Sequence, residues 1–212
     1  QGNEPALRSA FLKSLKYILF VGAPLCVGLI LLAPEFITVV YSDRWLGAAQ
    51  AMQVLAVYGL IRSISDSVIP LLRAIGLPRT DFRLMLLHVV LIGVMIIPAV
   101  YWSGILGAAL AMVLSGAAVF GYMIRSLRGA IGVSARDIAR AVTPGCASAL
   151  VMGLPLLGLK LKLDLLATPI GGWALPLAIA GGGLVYLTCL WFVEREELMT
   201  LKSLLFSRQR SG

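Results

Sequence analysis

Long apolar runs separated by short charged segments form the hydrophobic pattern of this chain of 212 residues. Such runs predict membrane-spanning helices, because about 20 apolar residues cross a hydrocarbon core of about 30 Å. The uncharged run from Leu84 to Ile124 holds 41 residues and is divided by WSG at 102–104, which predicts a helical hairpin. The predicted fold class is therefore an all-α polytopic membrane protein with six spans, at about 17–33, 46–72, 84–101, 105–124, 141–159 and 170–193.

Amphipathic segments flank the predicted six-helix bundle of residues 17–193. In residues 5–16, the apolar side chains share one helix face and the basic ones mostly lie off it, which is typical of a helix at a membrane surface. We therefore predict an amphipathic cytoplasmic lead-in at 1–16 and an amphipathic basic tail at 194–212.

The first span contains Pro24. Membrane helices tolerate proline where neighbouring groups satisfy the backbone carbonyl that it frees. Residues 34–44 are predicted to be a short connection to the second span.

Composition supports the membrane class, since 59% of the residues are hydrophobic and 13% are charged, whereas soluble domains carry about 25% charged residues. The net charge of +8 does not indicate a nucleic-acid partner, because the basic residues lie in short segments between apolar runs. Fourteen Lys and Arg residues lie in the lead-in, the tail and the two connections predicted on the same side of the membrane as the termini. The connections predicted on the opposite side hold three. This imbalance predicts that both termini are cytoplasmic.

The second predicted span carries charges well inside its ends. Arg62 and Asp66 are four residues apart and share a helix face with Tyr58. Charges at this depth cost about 3 kcal/mol each on insertion scales and often mark a polar pathway. One hypothesis is a cavity in which Arg62 contacts an anionic group such as a phosphate or a uronic acid. The other is a structural pair that fixes helix packing.

Other candidate residues are weaker. His88 is either a proton carrier or a polar residue at the membrane edge. Three arginines crowd the next loop and either bind substrate phosphate or only set the topology; they are Arg73, Arg79 and Arg83.

The sequence shows no catalytic motif of the Walker A, HExxH or GxSxG type. The predicted external loops are short and hold few carboxylates, so we predict no enzyme activity, no metal site and no cofactor. The cysteines lie alone in apolar runs without CxxC spacing, which indicates small apolar packing residues; they are Cys26, Cys146 and Cys189.

Three stretches of the chain resemble a known family. They are LAPEFITVVYSDRWLGAAQAMQVLAVYGLIRSI at 32–64, LRAIGLPR at 72–79 and SGILGAALAMVLSGAAVFGYMI at 103–124. Their order and spacing resemble the C-terminal part of polysaccharide flippases of the multidrug, oligosaccharidyl-lipid and polysaccharide exporter superfamily. The resemblance covers most of residues 15–150.

The resemblance implies a two-lobed helical transporter of the bacterial inner membrane. Such a protein moves an undecaprenyl-pyrophosphate-linked oligosaccharide across the bilayer by alternating access, in contact with membrane lipids. This chain would supply the last six spans, so an N-terminal lobe of the same protein is an expected partner and the chain is expected to be a fragment. Arg62 would hold the anionic head and Asp66 would hold or gate Arg62.

Two alternatives remain open at this stage. One is a lipid II flippase or a drug/cation antiporter of the same superfamily, although the spans offer an antiporter only Asp66 as a carboxylate. The other is a non-transporting scaffold, which predicts a paired Arg62 and no cavity.

Overall fold

Five α-helices make up the part of the chain that the computed structural model describes, residues 4–165 and 174–193. They are α1 (Glu4–Tyr41), α2 (Ala49–Ala74), α3 (Pro78–Ile131), α4 (Ala135–Leu165) and α5 (Ala174–Val193), with a 3₁₀ helix at Asp43–Ala48 before α2. No strand occurs in these residues, which confirms the all-helical fold class. Four stretches are long and apolar enough to cross a membrane, namely Ala6–Tyr41, Asp43–Arg73, Pro78–Ile131 and Ala135–Leu161. α5 holds a shorter apolar stretch, Leu175–Trp191.

α3 turns back on itself near its middle. Ser103 and Gly104 leave the helical conformation, and Gly104 takes φ 56° and ψ −135°, a conformation open to glycine. The ring of Tyr58 on α2 contacts both His88 and the backbone at Gly116, which an unbroken helix would hold about 42 Å apart at roughly 1.5 Å per residue. The two arms of α3, residues 78–102 and 105–131, therefore run antiparallel, with the reversal inside the WSG segment.

The turn depends on a second glycine. A Cβ atom at Gly107 would overlap the backbone carbonyl of Ala99. The small residues that follow at intervals of four, Ala111 and Ser115, are buried, whereas Gly121 further along the same arm is exposed. Close helix packing in lipid relies on small residues of this kind.

The structure corrects the predicted connection at 34–44, because α1 continues through Pro34 to Tyr41. The predicted surface lead-in likewise belongs to α1, and its apolar residues Phe11 and Leu15 are buried in the core. Pro34 and the polar residues after it predict a helix end at this point. The prolines are instead accommodated inside the helix by groups on other helices.

Each proline of α1 frees the carbonyl four residues before it, and each freed carbonyl has a partner. The Tyr186 hydroxyl on α5 donates to the carbonyl of Phe20, freed by Pro24, at 2.8 Å. The Gln53 amide on α2 donates to the carbonyl of Ile30, freed by Pro34, at 2.7 Å. These two bonds remove the main cost of a proline inside a membrane helix.

α4 begins earlier than the predicted span at 141–159 because Ser134 and Asp137 form a capping box. The Asp137 carboxylate accepts the backbone N–H of Ser134 at 2.8 Å, and the N–H of Asp137 donates to the Ser134 hydroxyl at 3.3 Å. The described part of the sixth predicted span is α5, Ala174–Val193. Residues 170–173 and the predicted tail at 194–212 lie outside the described residues.

α1 and α4 run parallel, as ion pairs near both ends show. Arg8 bonds Asp137 at 2.8 Å near their N-termini, and Glu35 pairs with Lys160 at 2.9 Å near their C-termini. α2 packs between α1 and α3, with Val68 and Leu72 fully buried. This arrangement leaves one face of α2 toward the α3 hairpin.

Removing the Tyr186 hydroxyl is expected to destabilise the fold by about 1 kcal/mol, because the carbonyl of Phe20 is then left without a donor. The Tyr186→Phe variant should lower the free energy of unfolding in mixed micelles by this amount. Tyr122→Phe, on the exposed side of α3, serves as the matched control and should change little.

The same measurement in a Pro24→Ala background isolates the proposed cause. With alanine at position 24, the backbone N–H is restored and can bond the carbonyl of Phe20. Tyr186→Phe should then cost close to nothing. An equal cost in both backgrounds would show that the hydroxyl acts through some other contact.

Candidate functional site

A cavity of about 490 Å³ lies between α2 and the two arms of the α3 hairpin. It is walled mainly by apolar side chains, and six of its lining residues carry charged or titratable groups, namely Tyr58, Arg62, Asp66, Arg73, Asp81 and His88. A mostly apolar pocket with a few convergent polar groups is the usual form of a small-molecule site.

Arg62 and Asp66 form an ion pair on the cavity wall. The Nε atom of Arg62 donates to the Asp66 carboxylate at 3.0 Å, and each side chain is 50% exposed. The pair is therefore accessible from the cavity. An exposed i,i+4 pair of this kind is worth only about 0.5 kcal/mol, so Asp66 holds Arg62 only weakly.

A second pair closes the end of the cavity near the α2–α3 loop. Arg73, from the last turn of α2, donates through Nε to Asp81 at 2.9 Å. The predicted loop arginines therefore separate into two groups, because Arg73 lines the cavity whereas Arg79 and Arg83 are exposed and outside its lining. Asp81 was not among the residues predicted from the sequence. It lies in the first turn of α3, where acidic side chains are common because they interact favourably with the helix dipole.

Tyr58 and His88 connect the two walls of the cavity. The Tyr58 hydroxyl lies 3.3 Å from the Nε2 atom of His88, and the two rings are nearly parallel at 17°, with centroids 6.2 Å apart. On the other side, a Cβ atom at Gly116 would lie 2.9 Å from the Tyr58 ring, so only glycine leaves room for the ring there. The sequence places Gly116 among small residues but gives no sign that an aromatic ring occupies the space.

A larger, apolar groove of about 680 Å³ lies between α1 and α2. Its wall on α2 runs from Ala51 to Ser63, whereas the cavity wall on α2 runs from Tyr58 to Arg73. The two spaces overlap along α2 over about one and a half turns. There Tyr58 and Arg62 line the cavity, and Gly59 and Ser63 line the groove.

Within the described part of the chain, no three His, Cys, Asp or Glu side chains are grouped so that they could hold a metal ion. Cys26 is buried and donates from Sγ to the backbone carbonyl of Ala56 at 3.2 Å, which joins α1 to α2. This thiol acts as a helix-packing group.

The helices and the mixed polar and apolar spaces define the chain as an all-helical membrane protein with a cavity suited to an amphiphile. Comparison with known proteins adds similarity to a family. A family model described as "Polysaccharide biosynthesis protein" matches residues 1–50. No solved structure matches the chain at a significant level.

Two curated proteins give informative matches. An uncharacterized membrane protein in the cps region of Klebsiella pneumoniae is 27% identical over 114 residues, which are 52% of this chain and 23% of that protein. The teichuronic acid biosynthesis protein TuaB of Bacillus subtilis (strain 168) is 35% identical over 60 residues, which are 28% of this chain and 12% of that protein.

These matches confirm the resemblance of this chain to membrane proteins of polysaccharide biosynthesis. The aligned part of the chain spans less than a quarter of the length of either relative.

Proposed function

We propose that this chain is part of a transporter that flips a polyprenyl-pyrophosphate-linked oligosaccharide across the bacterial inner membrane for surface polysaccharide biosynthesis. Transport proceeds by alternating access and involves no catalytic group or cofactor. The family resemblance supports the process. The two adjoining spaces along α2 support the chemistry of the substrate.

The observation that carries the proposal is the juxtaposition of a charged cavity and an apolar groove on one helix. Arg62 offers a guanidinium to an anionic head group, and Gly59, three residues earlier, lies on the groove wall. A lipid-linked pyrophosphate has a doubly charged head beside a long apolar chain. The arrangement on α2 matches both parts of that molecule within one and a half turns.

Six spans follow if each arm of α3 and α5 crosses the membrane separately. Each arm is roughly 38 Å long at about 1.5 Å per residue, which exceeds the hydrocarbon thickness of about 30 Å. The excess of Lys and Arg on one side then places both termini in the cytoplasm. In this orientation Arg62 and Asp66 lie in the cytoplasmic half of α2, where a lipid-linked substrate would enter.

Alternating access requires a second lobe that faces the cavity. We assign that role to a further helical lobe of the same protein, in line with the greater length of both relatives. Transporter sites of this type commonly lie between two such lobes near the bilayer midplane. The half-exposed Arg62–Asp66 pair would then face the opposite lobe.

The scaffold alternative is favoured by one observation, since Arg62 is paired with Asp66 as a scaffold would require. The cavity beside that pair favours a transporter. The two functions therefore differ in what they predict for variants of the pair.

Filling the groove tests the proposed function through the apolar wall of α2 and leaves every charged side chain in place. Gly59→Phe places a ring in the groove, where a Cβ atom at position 59 has no neighbour within 4 Å. In proteoliposomes of the full-length gene product, we expect the rate of flipping a fluorescent polyprenyl-pyrophosphate oligosaccharide to fall about tenfold, which is a rise of about 1.4 kcal/mol in the barrier.

Gly93→Phe is the matched control. Gly93 is also an exposed helical glycine with no atom within 4 Å of an added Cβ, and it lies outside both spaces. It should flip substrate at the wild-type rate. Absence of flipping by the wild-type protein, or equal rates for the two variants, would contradict the proposal.

A further inference from the structure

The charges in the cavity cancel when His88 is neutral. Arg62 is balanced by Asp66, and Arg73 is balanced by Asp81. The other titratable groups facing the space are Tyr58 from α2 and His88 from α3. A neutral cavity attracts an anion only weakly, so the Arg62–Asp66 pair alone does not explain how an anionic head would be held.

His88 is the one group in the cavity that can change this balance near neutral pH. It is half-buried, and its contact with Tyr58 can persist in both protonation states. A phenol can donate to the neutral Nε2 atom or accept from the protonated one. Uptake of one proton by His88 would therefore give the cavity a net positive charge without breaking the contact between α2 and α3.

We propose that the cavity binds a phosphate-type anion and a proton together, with the proton on His88 and the anion between His88 and Arg62. This inference rests on the proposed function for the identity of the anion, a pyrophosphate head. When the anion arrives, Asp66 yields Arg62 to it and His88 takes a proton from water. When the anion leaves, the proton returns to water and the Arg62–Asp66 pair forms again.

Reciprocal linkage makes the proposal measurable. If the proton and the anion favour each other, the affinity for the anion must fall as the pH is raised and His88 becomes neutral. For one linked proton the fall approaches about tenfold per pH unit. The probe is inorganic pyrophosphate, titrated between about pH 6 and pH 8 into the full-length gene product in nanodiscs of phosphatidylcholine.

The imidazole nitrogen signals of ¹⁵N-labelled histidine supply the second readout, with the signal of His88 assigned by its loss in His88→Gln. At slightly alkaline pH, added pyrophosphate should move this signal toward the charged form of the ring. His88→Gln should bind pyrophosphate with an affinity that no longer depends on pH. Gly116→Ala, which displaces the Tyr58 ring, should weaken the response, whereas the control Gly121→Ala should not.

A second arm replaces part of the phosphatidylcholine with phosphatidic acid and omits pyrophosphate. A shift of the His88 signal there would support the joint site and would identify a membrane phosphate as an alternative source of the anion. Pyrophosphate binding that is absent, or that keeps the same affinity across the pH range, would overturn the inference while leaving the flipping assay to judge the proposed function. Conversely, pH-linked binding without flipping would overturn only the proposed function.

Discussion

Replacing Arg62 by alanine is expected to abolish surface polysaccharide export while leaving the protein in the membrane at its normal level. The guanidinium is the cationic group of the cavity that is both half-exposed and held by a weak i,i+4 pair. Its loss leaves Asp66 facing the space where an anionic head would bind, and like charges repel. The measurement is complementation of a strain that lacks the gene, scored by surface polysaccharide and by protein level.

Arg79→Ala is the matched control for Arg62→Ala. Arg79 is exposed and outside the cavity lining, and it lies only six residues beyond Arg73 on the same predicted cytoplasmic side. Its removal changes the loop charge without changing the cavity, so export should remain near the wild-type level. Wild-type export in Arg62→Ala would remove that residue from the substrate pathway.

Breaking the Glu35–Lys160 pair should give the largest loss of stability. The two side chains are 14% and 22% exposed, and the Lys160 ammonium also donates to the carbonyl of Leu31 at 3.0 Å. The Glu35 Oε2 atom is buried without a hydrogen-bond partner in the described residues, so the carboxylate depends on Lys160. Lys160→Met should lower the free energy of unfolding in mixed micelles by about 3 kcal/mol.

The effect of Lys160→Met should come from the uncompensated carboxylate rather than from lost packing. Glu35→Gln combined with Lys160→Met removes both charges and should recover most of the stability. Lys13→Met, at an exposed position of α1, should change stability little. If the double variant is as unstable as Lys160→Met, the loss of stability arises from the lost bond between Lys160 and the carbonyl of Leu31 and not from the ion pair with Glu35.

Much of this architecture follows from patterns of residue type. Apolar runs predict the helices, WSG predicts the reversal in α3, and the four-residue spacing of Arg62 and Asp66 predicts their pairing on one face. These features are local, because each depends on residues within one or two helical turns. Placement of Tyr58 beside Arg62 in the cavity follows from the same spacing.

Contacts between distant parts of the chain could not be predicted from one sequence. Pro34 predicts the end of the first span and Pro24 a tolerated proline within it, but the donors that satisfy both freed carbonyls, Tyr186 and Gln53, lie on other helices. The sequence leaves two roles open for His88, and it gives no sign that the hairpin brings this side chain to Tyr58. The apolar groove likewise depends on how α1 and α2 pack.

One comparison tests most directly the claim that Arg62 binds the substrate. The double variant Arg62→Ala/Asp66→Ala removes the repelling carboxylate together with the guanidinium, so a merely structural pair would be replaced by two neutral side chains. The claim predicts that export in this double variant stays as low as in Arg62→Ala, because no cation remains beside His88 to hold the anionic head. Export restored to the wild-type level would show instead that Arg62 only neutralises Asp66.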